Sequence, residues 1–195
     1  MDQEAALEAE YPPSAGIEAS DIDLVASGVD VVIRAGASLG ESTSLIARPL
    51  LSFQRVAVAS PGYLAARGTP GALGALTQHD CLVQLGGEGP ISTWRFERGA
   101  TVRTVQVRSR LALTAPIAVR DLCVAGLGVA WLAEWLVQED LAAGRLIRLF
   151  PGWRSAPITA WALFRVELRT AERVRAFVEA VRDSLDPQLA QSAGR

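Results

Sequence analysis

Strand-like apolar runs alternate with helical ones along this chain, and the alternation breaks once. From Ser92 to Thr114 the stretch STWRFERGATVRTVQVRSRLALT follows a period of two. Trp94 and Phe96 lie on one face. Val105, Val107, Leu111 and Leu113 fall in phase, with Gln106, Arg108 and Arg110 opposite, and Gly99 makes the turn. That pattern predicts an antiparallel hairpin with one wet face. The alternation around it demands an α/β fold. The hairpin in its middle points to a second lobe inserted in the first.

The first dozen residues read as the end of a helix stopped by Pro12 and Pro13. A weak edge strand follows in SAGIEAS, then a short helix capped by Asp21 and ended by Gly28. VDVVIRAG is apolar on both faces, which predicts a strand of a parallel sheet covered on both sides. A strand is expected over Phe53–Ala59, a turn at Pro61–Gly62, and another strand in HDCLVQLGG. A helix over Ala115–Ala125 ends at Gly126, GVAWLA is a strand, and EWLVQEDLAAG is a helix ended by Gly144. Arg145–Phe150 reads as a short strand and ITAWALF as a longer one. Thr170 caps a last helix whose stripe is Val174, Phe177, Val178, Val181 and Leu185, with Glu179 and Arg182 on its outer face. It frays before Pro187, leaving a tail.

Composition removes several classes. Of 195 residues 50% are hydrophobic and 21% charged, with a net charge of −2, so disorder is excluded. A pI near 5.5 argues against a free-standing nucleic-acid binder. The apolar run from Leu122 is interrupted by Glu134 and is too broken to span a bilayer. The acidic N-terminus is no signal peptide, so the expected location is the cytoplasm.

Catalytic chemistry finds little to stand on. Cys81 and Cys123 read as small core residues rather than a disulfide scaffold. The lone His79 has no second histidine or CxxC near it, so no metal is expected, and a turn or partly buried position suits it better than a triad. There is no GxSxG elbow. The GLG at Gly126 lacks the context of a phosphate loop and reads as a turn from helix to strand. The chain has no lysine, which removes Schiff-base chemistry. Glu139–Asp140 and Asp21–Asp23 read as solvated helix faces. The five tryptophans read as packing residues. No cofactor is expected and no enzyme is read.

A binding module remains. Loops that follow strands and lead into helix starts present free N–H groups to anions. Two places qualify: the loop after VDVVIR, with Arg34, Gly36 and Ser38, and TAPIAV, where Thr114 can cap and Pro116 suits the first helical turn. For Arg34 an ion pair is the rival reading, and for Thr114 a plain cap.

At this point the residues resemble a known family. IDLVASGVDVVIRAG, SLIARPL, VAVASPGYLAARGTP, HDCLV, WRF, VAGLGVAWLAEWLVQEDLAAGRLIRLFPGW and VRAFVEAV occur in the order found in the effector region of LysR-type transcriptional regulators. The resemblance covers roughly residues 20 to 186. It implies a two-lobed, type 2 periplasmic-binding-protein-like α/β fold with two crossover strands, near Val56–Ser60 and Pro157–Ala160. Lobe I would be 1–57 and 160–187, truncated at its N-terminus, lobe II 58–159, and 188–195 a tail. Such regulators normally begin with a winged helix-turn-helix and a linker helix, and their effector region opens with a strand and helix. LEAEYP matches only the end of that helix, and Ala133 stands where the family often has proline.

The resemblance implies a small-molecule (inducer) sensing domain that acts in transcription regulation by cleft closure around a small, often anionic metabolite. It implies a homo-oligomer that reaches DNA only through a helix-turn-helix absent from this chain and that has no membrane partner. Ligand contacts are expected from Arg34, Ala35, Gly36 and Ser38 on one lobe, and from Gln84, Leu85, Gly86, Thr114, Ala115 and Pro116 on the other. A solute-binding protein of the same fold and a non-functional regulator fragment are the rival readings.

Overall fold

The computed structural model describes residues 29–36, 44–86 and 89–193, with side chains described up to residue 184. The elements expected before Val29 lie outside these residues. Contacts divide the chain into two compact units, Met1–Ser52 with Ile158–Pro187 and Phe53–Pro157 with Gln188–Arg195.

In the first unit β1 (Val31–Gly36), β2 (Leu45–Phe53) and β11 (Ile158–Arg165) form a three-stranded sheet in the order β1-β11-β2. Helix α4 (Glu172–Ala193) packs on it. Ala162 and Phe164, two apart on one face of β11, meet Val174 and Val178, one helical turn apart on α4.

Three expectations need correction here. First, β1 pairs antiparallel with β11 rather than in a parallel sheet, and Ile33 is 49% exposed. It ends the sheet's path, so one of its edges has no strand beside it among the described residues. Second, Phe177 is 46% exposed. At 100° per residue it falls on the flank of the Val174–Val178–Val181 stripe. Arg182 is not an outer-face partner either, because its guanidinium donates to the Pro49 carbonyl of β2 at 2.8 Å. Third, α4 starts at Glu172 and runs through Pro187 to Ala193. Ala171, not Thr170, offers the carbonyl that accepts from Val174 and Arg175.

The second unit holds β3 (Arg55–Ala59), α1 (Pro61–Arg67), a 3-10 helix (Leu73–Gln78), β4 (Cys81–Gly86) and β5 (Gly89–Pro90). These are followed by β6 (Thr93–Arg98), β7 (Thr101–Gln106), β8 (Ser109–Leu113), α2 (Pro116–Val124), β9 (Val129–Ala133), α3 (Glu134–Ala142) and β10 (Ile147–Arg148). The main sheet runs β10-β3-β9-β4-β5, with β8 also on β4. Its strands are apolar on both faces because both faces are covered. Ala57, Val83 and Trp131 face Trp94 and Phe96 of the β6–β7 hairpin. Val56, Val58, Leu82 and Leu132 face Val119 and Cys123 of α2 and Val137 of α3. Each such fully buried aliphatic side chain contributes about 1.5–3 kcal/mol.

The hairpin turns at Gly99, whose φ of 57° suits glycine. The period-two run, however, is two structures. After Gln106 the chain leaves β7, and β8 pairs in parallel with β4. Arg108 supplies the break, its carbonyl accepting from the Cys81 N–H at 3.1 Å. Pro61–Gly62 is likewise not a free turn. Ser60 caps α1, its hydroxyl accepting from the Tyr63 N–H at 3.3 Å, and Pro61 takes the first helical turn.

Candidate functional site

Strand direction decides which residues of the second unit share an edge. β8, β4 and β9 are mutually parallel, with Gln84 opposite Leu113 and Leu82 opposite Ala130. β3 runs antiparallel to β9, with Arg55 opposite Ala133. Gln84–Gly86, Thr114–Pro116, the start of α3 and Arg55 therefore emerge at one edge. In open α/β sheets the carboxyl ends of parallel strands are where ligands bind.

Six of the residues expected to touch ligand stand at this edge. Gln84, Leu85 and Gly86 close β4 and turn back through β5, where Leu85 pairs with Pro90 and Gly86 with Gly89. Leu85 is 37% exposed. Thr114, Ala115 and Pro116 lead into α2 and are exposed. Thr114 is not the helix cap. Pro116 fixes the first helical residue, so the cap falls on Ala115, which has no side chain to offer the free N–H groups. The Thr114 hydroxyl is left without a hydrogen bond among the described residues.

The other expected contacts lie in the first unit. Arg34, Ala35 and Gly36 end β1, opposite Trp161, Ala160 and Thr159 of β11. Arg34 and Trp161 thus share one sheet face, and the buried Trp161 Nε1 has no hydrogen-bond partner among the described residues. Ser38 lies outside the described residues.

Arg55 was not singled out from the sequence. It is half-buried, and burial pushes its guanidinium below the usual arginine value. Among the described residues it makes no ion pair. Its neighbour at the start of α3 differs: Glu134 receives Arg148 at 2.7 Å and Arg154 at 3.7 Å. An unpaired, partly desolvated arginine is a ready acceptor of a ligand carboxylate or phosphate. No sequence signal marks it, because whether an arginine finds an ion-pair partner is a property of the fold.

The remaining chemistry is structural. Asp140 was expected on a solvated face. It is instead fully buried, with Arg120 Nε at 2.5 Å and Arg145 Nε at 2.6 Å. Burial alone would raise its pKa, but the hydrogen bonds and charges of the two arginines outweigh it and hold the carboxyl below its ordinary value. Cys81 and Cys123 are buried thiols, both pushed up to about 12 by burial. His79 is buried, with Nδ1 3.1 Å from the Tyr63 hydroxyl, which itself accepts from the Asp80 N–H at 3.0 Å. Burial and the nearby Arg67 lower its pKa, so the neutral ring is favoured. Among the described residues no three His, Cys, Asp or Glu side chains cluster as metal ligands.

A strand-end edge with an uncapped helix start suits many binding folds. What distinguishes among them is the whole-chain pattern. Residues 15–186 match the family model described as LysR substrate binding domain. The chain belongs to this family. HTH-type transcriptional regulator PtxR of Pseudomonas aeruginosa is 40% identical over 177 residues, covering 87% of this chain and 54% of that protein. HTH-type transcriptional regulator DmlR of Escherichia coli is 32% identical, covering 83% and 52%. The chain thus spans about half the length of the curated relatives it matches. Among solved structures, the regulatory domain of CrgA from Neisseria meningitidis is 26% identical with a TM-score of 0.70, covering 93% of this chain and 89% of that one. The fold is therefore the two-lobed, periplasmic-binding-protein-like α/β fold of LysR regulatory domains. No helix among the described residues is long and apolar enough to cross a membrane.

Proposed function

We propose that this LysR substrate-binding domain senses a small anionic metabolite and, within a longer regulator, converts its binding into control of transcription. The carrying observation is the edge of the second unit at which Arg55, the Thr114 hydroxyl, the uncapped start of α2 and Gln84–Gly86 all emerge. Among the described residues the Arg55 guanidinium makes no ion pair, the Thr114 hydroxyl makes no hydrogen bond and the start of α2 has no side-chain cap, so these groups can donate to an anion. Arg34, Ala35, Gly36 and Ser38 are the ligand contacts proposed from the first unit. In this reading lobe I is 1–57 with 160–187, lobe II is 58–159, and 188–195 is a tail. The domain has no catalytic role, works in the cytoplasm as a homo-oligomer and reaches DNA through a helix-turn-helix partner domain.

The test is a thermal-shift screen of mono- and dicarboxylic acids, followed by titration of any stabilising acid against variants. Thr114 caps nothing, so Thr114→Ala should shift stability by under about 0.5 kcal/mol. It should weaken the acid about tenfold, the loss of one hydrogen bond to a charged group. Arg55→Gln should weaken it more. If both variants bind the acid as the parent does, the site is wrong.

DNA gives a second expected result. With no lysine and a net charge of −2, the purified chain should give no salt-sensitive, sequence-specific shift of operator DNA in a mobility assay. Such a shift would sink the division of labour proposed here.

A further inference from the structure

On the second unit, away from the strand-end edge, a groove of about 630 Å³ lies between the β6–β7 hairpin, the segment leading into the 3-10 helix and the turn after β10. Its apolar lining comes from Leu73, Val105, Phe150 and Trp153, and two arginines, Arg98 and Arg103, stand among them. Among the described residues no acidic side chain lines it. Neither arginine makes an ion pair among the described residues. Arg98 stacks on Trp153, its Cζ 4.6 Å from the ring centroid. That stacking occupies the guanidinium face and leaves its N–H edge free, the arrangement that accepts a carboxylate in two parallel hydrogen bonds. Arg103 donates to the carbonyl of its neighbour Val102 at 2.9 Å. Phe150 is held against the core, edge-on to Phe96 at 6.2 Å between centroids. The result is a fixed aromatic wall beside two arginines that make no ion pair among the described residues.

We propose that this groove is a second binding site, for a small aryl carboxylate. The aryl ring packs on Phe150 and Trp153, and the carboxylate bridges Arg98 and Arg103. Ring without charge leaves the arginines unpaired, and charge without ring leaves the apolar wall in water. Both halves are therefore required for binding. The volume falls within the range of small-ligand sites, about 300–1,000 Å³. The groove is open to solvent, so the expected affinity is modest, with Kd of about a millimolar. The site does not depend on the strand-end edge and shares no residue with it.

Phenylacetate is the probe, titrated into the full chain by calorimetry and by quenching of tryptophan fluorescence. Phenylacetamide removes the charge and acetate removes the ring; each should bind at least tenfold more weakly. Arg98→Gln and Arg103→Gln alter exposed side chains and should keep the parent melting temperature. Each should weaken phenylacetate about tenfold, and Trp153→Phe should abolish most of the quenching. Arg55→Gln and Thr114→Ala should leave the titration unchanged. No measurable binding by the parent chain overturns the proposal. So does equal binding by Arg98→Gln and Arg103→Gln, or a loss seen with Arg55→Gln instead, which would move phenylacetate to the strand-end edge.

Discussion

Gly128→Ala is expected to destabilise the chain by about 2–3 kcal/mol. A Cβ built on Gly128 would lie 2.4 Å from the Asp80 carbonyl oxygen and 3.1 Å from its carbon. The obstacle is backbone, so no rotamer change relieves it. Nor can Asp80 retreat freely. Its carbonyl accepts from Val129 at 2.9 Å, which registers β9 on β4, and its N–H donates to Tyr63. The substitution also stiffens the unfolded chain, a gain of only about 0.4–1 kcal/mol, which the clash outweighs. In a domain of this size each kcal/mol moves the melting temperature by about 2–4 °C, so thermal melts resolve the effect. Gly62→Ala is the control. It lies in α1 with nothing within 4 Å of its added Cβ, so it should leave stability unchanged or raise it by up to about 1 kcal/mol. If Gly128→Ala melts with the parent, the contact between the start of β9 and Asp80 is not as described.

Gly128 also illustrates how far sequence reasoning reached. GLG was legible as a turn from helix into strand, and Gly126, with φ of 85°, follows the end of α2. The close approach to Asp80, 48 positions away in the chain, was not legible, because nothing local encodes it. The same divide runs through the fold. Trp94, Phe96, Val105 and Gly99 marked the β6–β7 hairpin because cross-strand neighbours read as periodicity. The pairing of β8 with β4 did not read, because period two states that a strand is half-buried and not which strand it joins. β1 misled for the same reason: its apolar run was compatible with a parallel sheet, and its antiparallel partner is more than 120 residues on. At the strand-end edge, Gln84–Gly86 and Thr114–Pro116 stood out as loops after strands. Arg55 did not, since it sits inside a strand pattern and its interest comes from a guanidinium that makes no ion pair among the described residues.

The second large effect is expected at Asp140. Its carboxylate joins α3 to α2 through Arg120 and to the turn after α3 through Arg145, and its backbone carbonyl accepts from Arg145 and Leu146. Asp140→Ala removes the anion and leaves two guanidinium groups facing a buried gap. Removing one partner of a buried pair costs about 3–5 kcal/mol. Arg145 has a 48% exposed side chain and can turn to water, whereas Arg120, at 23%, cannot do so fully. That places the expected loss near the lower end, about 3 kcal/mol. Asp140→Asn keeps the shape but offers one acceptor oxygen where two arginines need one each, so most of the loss should remain.

The pH profile separates charge from packing at this position. The folded carboxyl titrates below its ordinary value, so its contribution is complete above about pH 4 and drains away as pH falls through the folded pKa. Parent stability should therefore drop on that acid limb, and Asp140→Asn should show a flatter one. Replacing both ends of the short pair, Asp140→Leu with Arg120→Met, should recover stability relative to Asp140→Ala, because no unpaired Arg120 charge is left at the gap. Urea denaturation across pH 3 to 7 measures all four proteins. An acid limb as steep in Asp140→Asn as in the parent would show that other carboxylates, and not this clasp between α2 and α3, govern acid stability.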